Sequence, residues 1–294
     1  MSSVFPLFGI TGATGYVGGR VARRLAAQGV RQRLVVRDVS RAPQLSNASV
    51  AYASAYGDKA AMTQALRGVQ ILFLVSGDLA PGRENEHLAA IDAALTAGVE
   101  RIVYLSFLSA ANSATFTLAR EHFHSEEHMR ASGVRFTFLR SSLYADEAPT
   151  WFGADGVIRG PAGDGRVSWV LRDDIVDAVV AVLTSDDHDG KIYNNTGREA
   201  LTLMETAALM SEFSGRRCVY HQETLDEARA WRRATGASDV EVEAWVSSYT
   251  AIATGEMSLI SDDLARVSGH PQQTLRDYLR QNPDSYKHLR TDHS

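Results

Sequence analysis

The sequence predicts a doubly wound α/β fold, a parallel sheet covered by helices on both faces, with a small and mostly helical annex at the carboxyl end. Three observations predict it. An apolar run from Val4 to Ile10 feeds straight into Gly12, Gly15 and Gly18, which open an amphipathic segment over Val21 to Ala27. Short apolar runs then alternate with helical patterns as far as Arg140, the rhythm of βαβ crossovers. One of those runs, Ile71-Leu72-Phe73-Leu74-Val75, is apolar throughout, as a parallel strand buried on both faces should be.

The elements follow in order. After the first helix, Gln32 to Val36 reads as a strand ending at Arg37-Asp38, and Ser40 to Leu45 suggests a second helix. Ser49 to Ser54 is a third strand, and Gly57-Asp58 caps a helix that Gly68 stops. The strand Gln70 to Val75 precedes a helix over Glu84 to Ala97, with Gly98 past its end. Arg101 to Ser106 is the fifth strand, Thr117 to Ala131 a long helix, and Val134 to Leu139 the sixth strand. Glycines 153, 156, 160, 163 and 165 mark a turn-rich stretch, followed by a strand over Val167 to Val170 and a helix over Ile175 to Leu183 that Asp173-Asp174 start. Lys191 to Asn194 is a strand returning to the sheet, and Thr202 with Glu205 forms a capping box for a helix to Phe213. A short strand over Arg217 to His221 leads to helices at Leu225 to Ala234 and Asp239 to Ala253, and the chain frays from Asp284. This divides the chain into a nucleotide-binding core over 1–150 and a mixed second part over 151–294.

Composition narrows the function classes. The 294 residues are 45% hydrophobic and 22% charged, which suits a globular chain with a sizeable core. A formal net charge of −5 and the lack of any basic run argue against nucleic acid as a partner. No apolar window approaches the ~20 residues of a membrane span, and the apolar start lacks the basic region of a signal peptide. Cys218 is the only cysteine, so no internal disulfide can form. The expected setting is cytoplasmic, and a homodimer is left open.

In open α/β sheets, ligands sit beyond the carboxyl ends of the strands where strand order reverses. Strand, glycine turn and helix here are arranged so that bare backbone and the unpaired N–H groups of a helix start meet a pyrophosphate. Gly12, Thr14, Gly15, Tyr16 and Val17 are the expected pyrophosphate residues. Val75, Ser76 and Gly77, with Ser106 and Phe107, end the fourth and fifth strands beside the expected nicotinamide position. Arg37 stands about 20 residues past the last glycine, with Arg41 close behind, where arginine pairs the 2′-phosphate of NADP(H). Asp38 could instead take the ribose diol of NAD, were the strand one residue longer.

These residues carry a family resemblance. Thr11-Gly12-Ala13-Thr14-Gly15-Tyr16-Val17-Gly18, Val35-Val36-Arg37, Tyr56-Gly57-Asp58 and Tyr104-Leu105-Ser106 resemble the NmrA-like branch of atypical short-chain dehydrogenases. The likeness continues through Leu118-Ala119-Arg120-Glu121-His122, Thr137 to Tyr144, Gly163-Asp164-Gly165, Gly190 to Tyr193 and Ser268 to Pro271. It implies a Rossmann-like domain with a carboxyl-terminal annex, bound NADP(H), and a small aromatic substrate. The branch includes reductases and also regulators that bind the cofactor without turnover. Typical short-chain dehydrogenases use Tyr-x-x-x-Lys on the helix after the fifth strand, where the lysine lowers the tyrosine pKa. Leu118 and His122 stand at those two positions here. Phe107 replaces the usual hydroxyl partner, and Ser141 stands where one reductase of the branch carries asparagine.

The expected reaction is hydride transfer from NADPH to a quinone, a polycyclic ketone or a similar conjugated aromatic molecule, with a tailoring ketoreductase for an aromatic natural product as the variant within enzymes. A quinone or a cationic dye dispenses with a strong protein acid, whereas a simple ketone needs a proton at its developing alkoxide. The groups available to supply one are His122, Tyr144, Ser141 and Ser106. His122 has two readings, a hydrogen bond to nicotinamide ribose or a proton source near neutral pH on one side, and a structurally satisfied helix histidine on the other. Leu108, Leu143, Trp151 and Phe152 would suit an apolar cleft wall, and core packing explains them equally well. His124 and His128 share a helix face but specify no third ligand, so no metal is expected. Cys218 reads as a buried strand residue, and no Gly-x-Ser-x-Gly elbow points to a hydrolase.

Overall fold

The computed structural model describes residues 6–290. Among them lie eleven strands and ten α-helices. In chain order they are β1 (Phe8–Thr11), α1 (Tyr16–Ala27), β2 (Gln32–Val36), β3 (Ala48–Tyr52), α2 (Lys59–Leu66), β4 (Ile71–Val75), α3 (Arg83–Thr96), β5 (Arg101–Phe107), α4 (Thr117–Ser132) and β6 (Arg135–Ser141). The remainder are β7 (Val157–Gly160), β8 (Arg166–Val167), α5 (Arg172–Leu183), β9 (Lys191–Asn195), β10 (Leu201–Thr202), α6 (Leu203–Ser214), β11 (Val219–Gln222), α7 (Leu225–Ala234), α8 (Asp239–Ala253), α9 (Asp263–Ser268) and α10 (Leu275–Gln281). None of the described helices is long and apolar enough to cross a membrane.

The chain forms two compact units that interleave along the sequence. The first draws on residues up to Phe107, Glu121–Arg140 and Ile175–Tyr193; the second on Leu108–Arg120, Ser141–Asp174 and residues from Asn194 onward. Both therefore take residues from either side of residue 150.

In the first unit the strands lie in the order β3-β2-β1-β4-β5-β6-β9. β1 pairs in parallel with both β2 and β4, with Ile10 opposite Leu34 on one side and Phe73 on the other. The order reverses at β1, so the carboxyl ends of β1 and β4 flank the switch point. Ile71 to Leu74 are all buried, as a two-faced strand requires. Thr11 ties the two strands where they end. Its Oγ1 donates to the Phe73 carbonyl at 3.2 Å and accepts from the Val75 N–H at 2.8 Å. The expected helix over Ser40 to Leu45 is only a 3-10 turn at Val39–Arg41. Pro43 stops it, because the residue before a proline is steered out of helical backbone. Of the first expected strand, residues 4 and 5 lie outside the described residues.

In the second unit the glycine-rich stretch that reads as turns contains β7, which pairs in parallel with β11. Gly160 is small there because a Cβ would strike the Tyr249 ring. The strand expected over Val167 to Val170 shortens to β8, paired antiparallel with β10. Thr202 caps α6 with the reciprocal Glu205 contact that the spacing predicts. The carboxyl end is not frayed at Asp284. Pro283–Leu289 forms a 3-10 segment with Tyr286 and Leu289 buried, and two apolar side chains under cover hold it there.

Candidate active site

The first unit presents the glycine turn at the end of β1. Gly12 has φ +62°, the left-handed region that favours glycine, and a Cβ there would press on Val75. The Gly15 N–H closes the turn onto the Gly12 carbonyl at 2.9 Å. Gly18 packs so tightly that a Cβ would collide with that same carbonyl. Thr14 and Gly15 are exposed at the tip. Helix α1 starts beyond them with glycine as N-cap, no side-chain cap and no acidic residue in its first turn. The Arg20 guanidinium lies 3.5 Å over the Tyr16 ring and adds positive charge to this end. An uncapped helix start behind a bare-backbone turn fits a pyrophosphate on both charge and space.

The end of β2 bears on the two readings of Arg37 and Asp38. The strand stops at Val36. Asp38 folds back as the cap of the 3-10 turn, accepting from the Ser40 N–H at 2.9 Å and from the Ser40 hydroxyl at 2.6 Å. Those two donors hold its carboxyl below the usual range. The Arg37 side chain is 73% exposed and meets only the equally exposed Asp78 at 3.1 Å among its described ion pairs, an attachment that solvent screens. Arg41 is also exposed. Two accessible guanidinium-bearing residues beside an occupied carboxylate fit a 2′-phosphate.

The loop after β4, Val75-Ser76-Gly77, is held from several sides. Tyr56 donates its hydroxyl to the Val75 carbonyl at 2.6 Å, and burial pushes that phenol up to about 12. The Gly77 N–H donates to His87 Nε2 at 2.8 Å, and Arg83 Nε donates to the Gly77 carbonyl at 2.9 Å. Arg83 opens α3 and is 4% exposed. Its other nitrogens reach Glu121 Oε2 at 2.6 Å and His122 Nε2 at 3.1 Å. His122 meets the Tyr104 hydroxyl through Nδ1 at 2.8 Å, and His87 Nδ1 lies 3.3 Å from that same oxygen. The Phe107 ring stacks on His122 with centroids 6.2 Å apart. Burial, then the Arg83 charge, hold His122 well below an ordinary histidine, and the same two causes lower His87 to about 3.

Ser106 is buried and donates to Glu126 Oε1 at 2.6 Å. Glu126 is wholly buried and neutralised by Arg140, whose Nε and Nη2 reach it at 2.9 and 2.5 Å. Of the residues expected to do chemistry, the structure brings Ser106 and His122 into this unit with both polar ends engaged. As a proton source near neutral pH, His122 is unsuited, because a buried imidazole beside a fixed guanidinium resists a second proton. Ser141 and Tyr144 fall in the second unit. Ser141 Oγ is buried with no hydrogen-bond partner, and the Arg172 guanidinium lies 5.5 Å over the Tyr144 ring. Leu108 and Phe152 are core residues there, and Trp151 packs against Trp169 and Tyr249. His124 and His128 face different carboxylates, Glu84 at 2.8 Å and Asp92 at 2.7 Å. Sequence reasoning missed Arg83 and His87. Both look like solvated helix residues until β5 and α4 are packed against them.

A doubly wound parallel sheet with an uncapped glycine turn at its switch point defines the class of dinucleotide-binding α/β proteins. Residues 12–186 match a family model described as NAD(P)H-binding. Quinone oxidoreductase 2 of Escherichia coli is 32% identical over 92% of this chain and 96% of its own. Its crystal structure with NADPH superposes with a TM-score of 0.84, covering 93% of this chain and 99% of that one. A (4-alkanoyl-5-oxo-2,5-dihydrofuran-3-yl)methyl phosphate reductase of Streptomyces griseus is 32% identical over 94% of this chain and 98% of its own. The Citrobacter triphenylmethane reductase complexed with NADP(H) is 29% identical with a TM-score of 0.81, over 93% and 99% of the two chains. The chain belongs to the NAD(P)H-binding family.

Proposed function

We propose that the chain is an NADPH-dependent reductase of quinones, polycyclic ketones or similar conjugated aromatic molecules. Gly12, Thr14, Gly15, Tyr16 and Val17 hold the pyrophosphate, and Arg37 with Arg41 holds the 2′-phosphate. Val75, Ser76, Gly77, Ser106, Phe107 and His122 border the nicotinamide half. When bound, the cofactor supplies the hydride.

The observation that carries the choice of acceptor is the state of Ser106 and His122. The Ser106 proton is directed at Glu126, and His122 is neutral and bonded at both nitrogens. The first unit therefore offers binding and orientation at this point, with no acid from these two groups. An acceptor whose reduced form is a stabilised anion suits that arrangement, and a simple ketone does not. The relatives named for quinone and triphenylmethane reduction support the same class. Ser141 and Tyr144, in the second unit, are the hydroxyls to test for a part on the substrate side. With its one cysteine buried and no disulfide to form, the protein is proposed to work in the cytoplasm.

Stopped-flow NADPH oxidation across a panel of quinones, conjugated dyes and polycyclic ketones tests this reading. Turnover with quinones or dyes, little affected in Tyr144→Phe, is the expected result. No oxidation of NADPH by any member would sink it.

A further inference from the structure

We infer that Arg83 is a positioning residue that fixes the cofactor-facing loop after β4 and the tautomer of His122 at the same time. This rests on the proposed use of Val75-Ser76-Gly77 as the border of the nicotinamide half. The argument starts from what an arginine can do. A guanidinium stays charged at any physiological pH and only donates hydrogen bonds. The nitrogen it faces, His122 Nε2 at 3.1 Å, must therefore be the acceptor, and the His122 proton sits on Nδ1. From there it is donated to the Tyr104 oxygen at 2.8 Å.

The second imidazole is fixed by the same logic. The backbone N–H of Gly77 can only donate, so His87 Nε2 accepts and His87 Nδ1 carries the proton toward Tyr104 at 3.3 Å. Tyr104 is fully buried and receives both imidazole N–H groups, so its own proton must leave in a third direction. Ser125, one turn along α4 from His122, donates its own proton to the Glu121 backbone carbonyl at 3.0 Å. Glu121 is the carboxylate that Arg83 grips at 2.6 Å. The two imidazole donors, Nδ1–H of His122 and Nδ1–H of His87, are thus assigned by the groups that face the opposite ring nitrogens.

Gly77 is the point where these contacts meet the loop. Its carbonyl is held by Arg83 and its N–H by His87, so both backbone groups of one loop residue are clamped by side chains of α3. Arg83 thereby places a fixed positive charge from α3 beside His122, the residue that stands at the relay's lysine position. Neither nitrogen of His122 is left to donate elsewhere. The histidine thus acts as a spacer between Arg83 and Tyr104.

The test has two arms. Nitrogen-15 NMR of the histidine-labelled wild-type protein should show His122 and His87 each with a protonated Nδ1 and an unprotonated Nε2, unchanged from pH 5 to pH 8. A proton on Nε2 of His122, or a titration within that range, overturns the inference. In the second arm, Arg83→Met should weaken NADPH binding about tenfold or more, raise KM more than it lowers kcat, and turn His122 into a mixture of tautomers. Arg83→Lys should not restore the spectrum, since the three donors of an ammonium leave one nitrogen and cannot span acceptors that Nε, Nη1 and Nη2 reach separately. Unchanged NADPH affinity in folded Arg83→Met overturns the inference. Should that variant fail to fold, His87→Leu frees the Gly77 N–H with Arg83 in place. Weaker NADPH binding with the His122 spectrum kept supports the clamp, and unchanged binding overturns it. A wild-type protein with the expected spectrum and variants with weakened NADPH binding, but no acceptor reduced, would support the clamp and remove the reductase reading.

Discussion

Arg37 and His87 show how residues of ordinary type take on their roles from what lies next to them. Arg37 is exposed and its partner Asp78 is 83% exposed, so the pair gives way readily to a phosphate. Arg37→Ala should lose about tenfold or more in NADPH affinity and little in NADH affinity, as calorimetric titration with both cofactors would show. High salt should erode the wild-type preference in the same direction, because the charge sits in solvent. His87 lies at the other extreme. Its folded pKa of about 3 is below the unfolded value near 6.5, so between these values the unfolded chain binds the extra proton. The stability His87 contributes is whole above pH 6.5 and drains away as pH falls toward 3. By pH 4.5 the loss from one such group is about 3 kcal/mol. Urea unfolding of the wild type at pH 7 and pH 4.5 should show it, and His87→Gln should shrink the difference by the His87 share, leaving that of the likewise buried His122.

Among the elements, the strand-turn-helix from β1 into α1 is the least tolerant of change. Gly18→Ala would drive a methyl into the Gly12 carbonyl, costing about 1–3 kcal/mol if the turn yields. Thermal melting should register the destabilisation, and NADPH titration should register a larger loss, since the turn that yields is the one proposed to meet the phosphates. This element was legible in the sequence, as were β2, β4, α2 and the capped helix at Thr202, because periodicity and caps are local signals. What could not be read depends on partners distant in sequence. β7 lies among glycines and is a strand only because β11 pairs with it. Val39–Arg41 has the composition for a longer helix and is cut short by Pro43. Arg83, His87 and Glu126 carry no motif, and their roles come from burial beside Tyr104 and Ser106.

At the scale of the whole molecule, a ligand that binds only the folded chain stabilises it by mass action. NADPH at 100 times its dissociation constant should add about 2.7 kcal/mol, read as a rise of several degrees in melting temperature. NADH at the same concentration should give a smaller rise, and Gly18→Ala should abolish both. Equal shifts for the two cofactors would remove the preference assigned to Arg37. The two interleaved units could not have been drawn from composition, since no linker or compositional break marks residues 107, 120, 140 or 174. Their grouping is a matter of long-range proximity, and the boundaries fall at the end of β5 and inside α4, β6, α5 and β9.

The small turn after β2 has a consequence for how this chain could change. The guanidinium proposed here for the 2′-phosphate, on Arg37, and a carboxylate of the kind that takes a ribose diol, on Asp38, stand on adjacent residues, and the Ser40 hydroxyl and N–H keep the carboxylate occupied. Ser40→Ala would loosen that hold and release a carboxylate toward the ribose, narrowing the gap between NADPH and NADH in the same titrations. Coenzyme preference would then shift through a substitution at a residue assigned no contact with either cofactor. A lineage carrying this turn stands one mutational step from the other electron pool of the cell, with the sheet, the glycine turn and the buried histidines unchanged.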